Sequence, residues 1–324
     1  MKTPIFESCL AEPIRHFIRL RQTEGRDYHS QAMLLHYFDH FLVEQEVTNA
    51  HITRQLVEAY EDTLQHLVPR VQGNRMCVVR QLCEYLSRTD PFTVVPEPRR
   101  TPSSQATFAP YIYSEDDVSA LLAAAARLPP AGKLRGPTYQ TLLGVLASTG
   151  LRISEAMDLS LADFYHDDQR LYIAQGKFSK ARWVPLSHST DKALSRYVER
   201  RRNMMPNTPD SPLFLNLRGH RLRHVTVNHT FHRLLRQCEL IHDGSPRPRL
   251  HDLRHTFAVR RLLTWYRDEE DINAKLPWLA TYMGHVDIQS TCIYLHPTAE
   301  LLEQVNKRFH HHYLQQIATQ GVSQ

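Results

Sequence analysis

His251-Asp252-Leu253-Arg254-His255 is the stretch on which the reading of this chain turns. Residues 250–263 have helical spacing, and on a helix His251, Arg254 and His255 at i, i+3 and i+4 share one face. Above an apolar side made by Leu253, Phe257 and Leu262, that face reads either as ordinary polar surface or as a place for an anion. Three other pieces favour the anion. Gly284-His285 follows downstream, Tyr294 stands nine residues after that histidine, and Gly150-Leu151-Arg152 lies well upstream. A phenol of unperturbed pKa about 10 is a poor nucleophile at neutral pH. It becomes competent toward a phosphodiester where cations hold the phosphate and stabilise the charge on its oxygens. Arginine suits that task because its planar fork gives paired, charge-assisted hydrogen bonds and keeps its proton.

A fifth piece is Gln175-Gly176-Lys177-Phe178-Ser179-Lys180-Ala181-Arg182-Trp183-Val184-Pro185-Leu186. Residues 171–174 and 182–186 read as two strands, joined by a turn that carries Lys177. In this order the pieces resemble the tyrosine recombinases, the phage integrase family. That family's pattern is an arginine in a Gly-Leu-Arg turn, a lysine on a β-hairpin, His-x-x-Arg-His, Gly-His and a tyrosine about nine residues on. The resemblance implies that Arg152 and Arg254 clamp the phosphate and that Glu155 orients Arg152 from behind. It gives Lys177 the protonation of the leaving 5′-oxygen, His251 the acceptance of a proton near the tyrosine, and His285 a hydrogen bond to a non-bridging oxygen. Tyr294 becomes the nucleophile. His255 is read as a packing or supporting group, and Lys180 and Arg182 as contacts to backbone phosphates. Two departures stand out: Phe178 where glycine is common, and a charged stretch, Trp265 to Asp271, that reads as an extra loop.

The 324 residues suffice for two domains, each with its own core. Residues 1–90 hold four amphipathic stretches, around Ile14–Leu20, Met33–Leu42, Ile52–Leu64 and Val78–Leu86. By resemblance these form a helical core-binding domain that clasps duplex DNA. Arg70, Arg75 and Arg80 are either its phosphate contacts or a solvated face. Pro91, Pro96, Pro98, Pro102 and Pro110 make 91–110 an extended basic linker. Residues 111–297 read as the catalytic domain, with Ser114 as an N-cap and Gly150 as a left-handed helix cap. In 298–324, Leu301, Leu302, Val305, Phe309 and Tyr313 form an amphipathic helix that docks either on its own domain or on a neighbouring molecule. The expected class is mainly α with a small β-sheet: an N-terminal helical domain plus an α+β catalytic domain.

A net charge of +5 suits a polyanion partner without demonstrating one. Five cysteines, odd in number and without paired spacing, read as reduced thiols. With no apolar leader and no spanning stretch, the expectation is a cytoplasmic protein with no membrane partner. A His-x-x-x-His pair also fits zinc, but Asp252 replaces the glutamate of that motif and no cysteine pair is near, so no metal is expected. No cofactor is expected either, since a phosphotyrosyl bond conserves the energy of the phosphodiester. The resemblance implies a site-specific recombinase, of a mobile element or a resolution system, working as a homo-tetramer on two double-stranded DNA sites. Two rivals remain open: a type IB topoisomerase, which shares the constellation, and a non-catalytic DNA-binding regulator.

Overall fold

The computed structural model describes residues 4–25, 27–98, 110–174, 181–205, 208–241, 247–285 and 291, and the chain divides into two compact units, Met1–Phe108 and Ala109–Gln324. Among its described residues, four helices build the first unit: α1 (Ala11–Thr23), α2 (His29–Glu44), α3 (Arg54–Thr63) and α4 (Pro69–Leu86). Their apolar stripes bring Phe17, Leu35, Phe38, Leu42, Tyr60 and Leu82 into one buried core, which is what amphipathic spacing demands. The Thr53 hydroxyl caps α3 by accepting from Leu56 N–H. Pro69 opens α4, where a missing N–H costs nothing. Buried Asp39 accepts the N–H groups of Glu7 and Ser8 and so fastens the segment ahead of α1.

The second unit is organised around α6 (Arg135–Thr149), which packs on α5 (Glu115–Ala126), α8 (His188–Arg202) and α10 (Asp252–Arg267). Helix α5 begins in a capping box between Ser114 and Asp117. Between α6 and α8 come α7 (Ile153–Asp158) and strands β1 (Phe164–Tyr165), β2 (Arg170–Ile173) and β3 (Arg182–Pro185). The sheet is antiparallel in the order β1-β2-β3, with Leu171 opposite Val184 and Tyr172 opposite Trp183. Period-two alternation sends Leu171, Ile173 and Val184 into the core and leaves Trp183 and Tyr165 outside. Helices α9 (His224–Gln237) and α11 (Ile272–Met283) are the remaining helices among its described residues.

Mainly helical architecture with one small sheet is thus the observed class. The extra loop is a correction. Helix α10 continues to Arg267, because Trp265 and Tyr266 pack on the α10–α11 core, and only 268–271 are left as the connection. Asp271 then caps α11 by accepting from Asn273 and Ala274 N–H, so Pro277 lies inside that helix. The short α7 and two-residue β1 were not anticipated. The expected helix at 298–324 lies outside the described residues.

Candidate active site

Helix α6 ends on Gly150 at φ 64°, in the left-handed region, with its N–H on Leu146 O. A Cβ there would stand 2.5 Å from Phe257 Cδ1, so backbone and packing both call for glycine. The turn delivers Arg152 as the residue before α7. Its backbone N–H donates to Glu155 Oε2 at 3.0 Å, its Nη1 to Glu155 Oε1 at 2.8 Å and its Nη2 to the Gly284 carbonyl at 3.0 Å. Helix α11 ends in the same manner on Gly284 at φ 68°, with the N–H of His285 on Ala280 O and that of Gly284 on Thr281 O. That pairing is the Schellman pattern, and it turns His285 back toward α10.

The end of α11 is where the site is assembled. Its last carbonyls have no intrahelical partners and carry the negative end of the helix dipole. Three in succession take an arginine each. Arg182 Nε donates to Tyr282 O at 2.8 Å, Arg254 Nη2 to Met283 O at 2.7 Å, and Arg152 Nη2 to Gly284 O. Arg254 is 2% exposed and also donates from Nη1 to Gly150 O at 2.7 Å, joining the ends of α6 and α11. Burying a guanidinium so deeply costs free energy unless its protons are placed, and these carbonyls place them.

Behind the arginines lies Glu155, 4% exposed. Burial pushes its carboxyl up, but the hydrogen bonds and charge of Arg182, together with Arg152, outweigh that and hold it below the ordinary carboxylate range. Glu155 is therefore an ionised strut and unsuited to accepting a proton at neutral pH.

His285 Nε2 lies 2.8 Å from Arg254 Nη2, and its Nδ1 lies 2.6 Å from the buried Thr291 hydroxyl. Arginine can only donate, so Nε2 accepts, and a neutral ring carries its proton on Nδ1 toward Thr291. His251 packs edge-on against His255 with ring centroids 5.0 Å apart. It is open on one side yet crowded on the others. That burial first, then the charges of His255 and Arg254, pushes its imidazole down to about 4. His255 is lowered as well, again chiefly by burial. Both rings are neutral at pH 7 and able to accept a proton.

Arg152, Glu155, Arg254 and His285 therefore meet in one hydrogen-bonded cluster, with His251 and His255 at the start of α10. Arg182 is a correction. Read from sequence as a DNA-backbone contact, it is instead committed internally: Nη1 and Nη2 donate to the two Glu155 oxygens at 3.1 and 2.8 Å, and the side chain is only 9% exposed. Lys177, Lys180 and Tyr294 lie outside the described residues. In the first unit, Arg70 is exposed, Arg75 lies 4.3 Å over the Tyr37 ring, and Arg80 is bound to Pro96 O and Glu84. Thr291 was missed, although a hydroxyl three residues before Tyr294 was there to notice.

A profile of the phage integrase family matches residues 112–300, which include every member of this cluster. The integrase/recombinase-like protein y4rB of Sinorhizobium fredii is 35% identical over 93% of this chain and 97% of its own length. The tyrosine recombinase XerD of Brucella abortus is 28% identical over 83% of this chain and 84% of its own. Among solved structures, the XerH site-specific recombinase bound to its difH substrate superposes with a TM-score of 0.65 at 18% identity, covering 94% of this chain and 99% of that one. The Tn1549 transposon integrase in complex with transposon right end DNA gives 0.64 at 16% identity, covering 91% and 98%. At those identities the two structures speak for the fold.

Proposed function

The chain belongs to the phage integrase family, the tyrosine recombinases, and from that membership we propose a site-specific DNA recombinase that cuts and rejoins strands through a 3′-phosphotyrosyl intermediate. The observation that carries the reading is the convergence of Arg152 and Arg254, from distant segments, on the end of α11 beside His285. Two guanidiniums with fixed carbonyl partners present a preorganised site for the two non-bridging oxygens of a phosphodiester. Preorganisation matters because a site that need not rearrange loses no free energy when charge develops.

In the proposed reaction the Tyr294 phenol oxygen attacks phosphorus and its proton passes to the neutral His251. The bond from phosphorus to the 5′-oxygen breaks, and Lys177 protonates the departing 5′-oxygen, which leaves as the 5′-hydroxyl. A 5′-hydroxyl of the partner duplex reverses these steps, so bond energy is conserved and no nucleotide is consumed. Double-stranded DNA is the substrate, and a homo-tetramer on two duplexes is the assembly that reciprocal exchange requires. The helical domain of residues 1–90, joined by the 91–110 linker, serves as the second jaw on the duplex. The 298–324 segment is the proposed link between neighbouring subunits. A mobile element or a resolution system is the setting. No helix among the described residues is long and apolar enough to cross a membrane, in keeping with a cytoplasmic enzyme.

Covalent trapping tests this. Wild type and Tyr294→Phe are incubated, with EDTA present, on nicked duplexes drawn from the DNA flanking the native gene, and resolved on a denaturing gel. A shifted protein–DNA band in wild type alone is expected. A band in both would move the nucleophile elsewhere. Relaxation of supercoils without exchange between two marked duplexes would favour the topoisomerase.

A further inference from the structure

Arg182 holds more of the site together than its place on a strand suggests. Three of its five N–H groups bind two partners, the Glu155 carboxylate through Nη1 and Nη2 and the Tyr282 carbonyl through Nε at 2.8 Å. The Glu155 carboxylate in turn receives four bonds. Oε1 takes Arg152 Nη1 and Arg182 Nη1, and Oε2 takes Arg152 N–H and Arg182 Nη2. A carboxylate offers about four lone-pair sites, so this one is saturated and cannot turn without breaking a bond to one arginine or the other. Gly284 completes the fit: a Cβ there would stand 2.7 Å from Arg182 Nη1, so the guanidinium lies flat against the helix end.

From this geometry we propose that Arg182 is a positioning residue for the phosphate clamp: it fixes the Glu155 carboxylate and the end of α11, the two supports on which Arg152 rests. The inference deepens the recombinase reading and rests on it for the identity of the anion. Arg182 touches no reacting atom. It acts through Glu155 on one side of Arg152 and through the α11 terminus, whose Gly284 carbonyl Arg152 also binds, on the other. Lysine cannot replace it, since an ammonium is a point charge and cannot span a carboxylate and a carbonyl with a fork.

The test uses the full chain. Arg182→Lys and Arg182→Ala are compared with wild type in single-turnover adduct formation on a nicked duplex carrying either the normal phosphodiester or a methylphosphonate at the scissile position. The neutral phosphonate makes less demand on an arginine clamp, whereas a general folding defect slows both substrates alike. A loss of tenfold or more on the diester, with no more than about threefold on the phosphonate, is expected for Arg182→Lys. Its loss is also expected to shrink when Glu155 is already Gln, because residues acting through one another are not additive. Equal losses on both substrates, or full additivity with Glu155→Gln, would overturn the proposal. A second arm needs no DNA cleavage: rotation of the Arg152 guanidinium, followed by nitrogen-15 NMR, becomes faster in Arg182→Lys. Unchanged rotation overturns the positioning role even if wild type forms no adduct, a result that by itself would sink the recombinase reading.

Discussion

Helix α6 carries glycines whose replacement by alanine moves stability in opposite directions. Gly150→Ala places an L side chain at φ 64°, at a cost of roughly 1–2 kcal/mol, and drives its Cβ to 2.5 Å from Phe257 Cδ1. The Phe257 ring is 8% exposed and stacked on Tyr282 at 5.5 Å, so it has little room to withdraw. Overpacking of that kind adds roughly 1–3 kcal/mol, for a sum of about 2–5 kcal/mol. In a unit of this size each kcal/mol lowers Tm by roughly 2–4 °C, which gives a fall of roughly 4–20 °C. Gly144 sits in the interior of the same helix, and a Cβ there would meet only Leu122 Cδ2 at 3.8 Å. Gly144→Ala is expected to gain about 0.5–1 kcal/mol from helix propensity, raising Tm by roughly 1–4 °C. Scanning calorimetry of the full chain reads both, the first unit's transition serving as internal reference. Because the Gly150 carbonyl accepts from Arg254, Gly150→Ala is also expected to lose adduct formation well below its melting temperature. A Gly150→Ala protein melting within about 1 °C of wild type, or a destabilised Gly144→Ala, would refute the reasoning.

Other outcomes follow from the same contacts. Arg254→Ala is expected to lower cleavage by about 10²–10³-fold while a gel-shift assay shows duplex binding within a few-fold; equal loss of both would count against the clamp. Ser114→Ala removes the hydroxyl that accepts from Asp117 N–H and should cost about 1 kcal/mol, seen as a lower denaturation midpoint. His251, faced by His255, Arg254, Asp252 and Arg249, has a folded pKa of about 4, below the 6.5 of an unfolded histidine. The unfolded chain therefore binds more protons between those values, and stability should fall as pH drops from 6.5 toward 4. His251→Gln should flatten that slope in urea titrations, and an unchanged slope would assign it to other groups.

The cluster was legible where its members lie in one short frame. Arg152 and Glu155 are three residues apart, and the spacing of His251, Arg254 and His255 already placed them on one helix face. Gly150 announced a helix end because a left-handed cap is a local demand of the backbone. Arg182 was misread because its partners lie 27 residues before it and 100 after it, and no local pattern reports such a meeting. Strand β1 escaped because two residues cannot display period-two alternation. The limits of the stretch from Trp265 to Asp271 were misplaced because charge was read as loop. Tertiary packing of Trp265 and Tyr266, and the cap at Asp271, decided them instead.

Tyr282, Met283 and Gly284 offer their carbonyls from a single rigid body, so the three arginines share one carrier. A shift of α11 along its axis would withdraw all three anchorages in the same movement. No partial state, with two guanidiniums braced and one released, is reachable by moving that helix. Each arginine would then be left with its other partner alone, Glu155 for Arg152 and Arg182 and the Gly150 carbonyl for Arg254. The helix whose movement would loosen all three together also carries Trp278, 69% exposed.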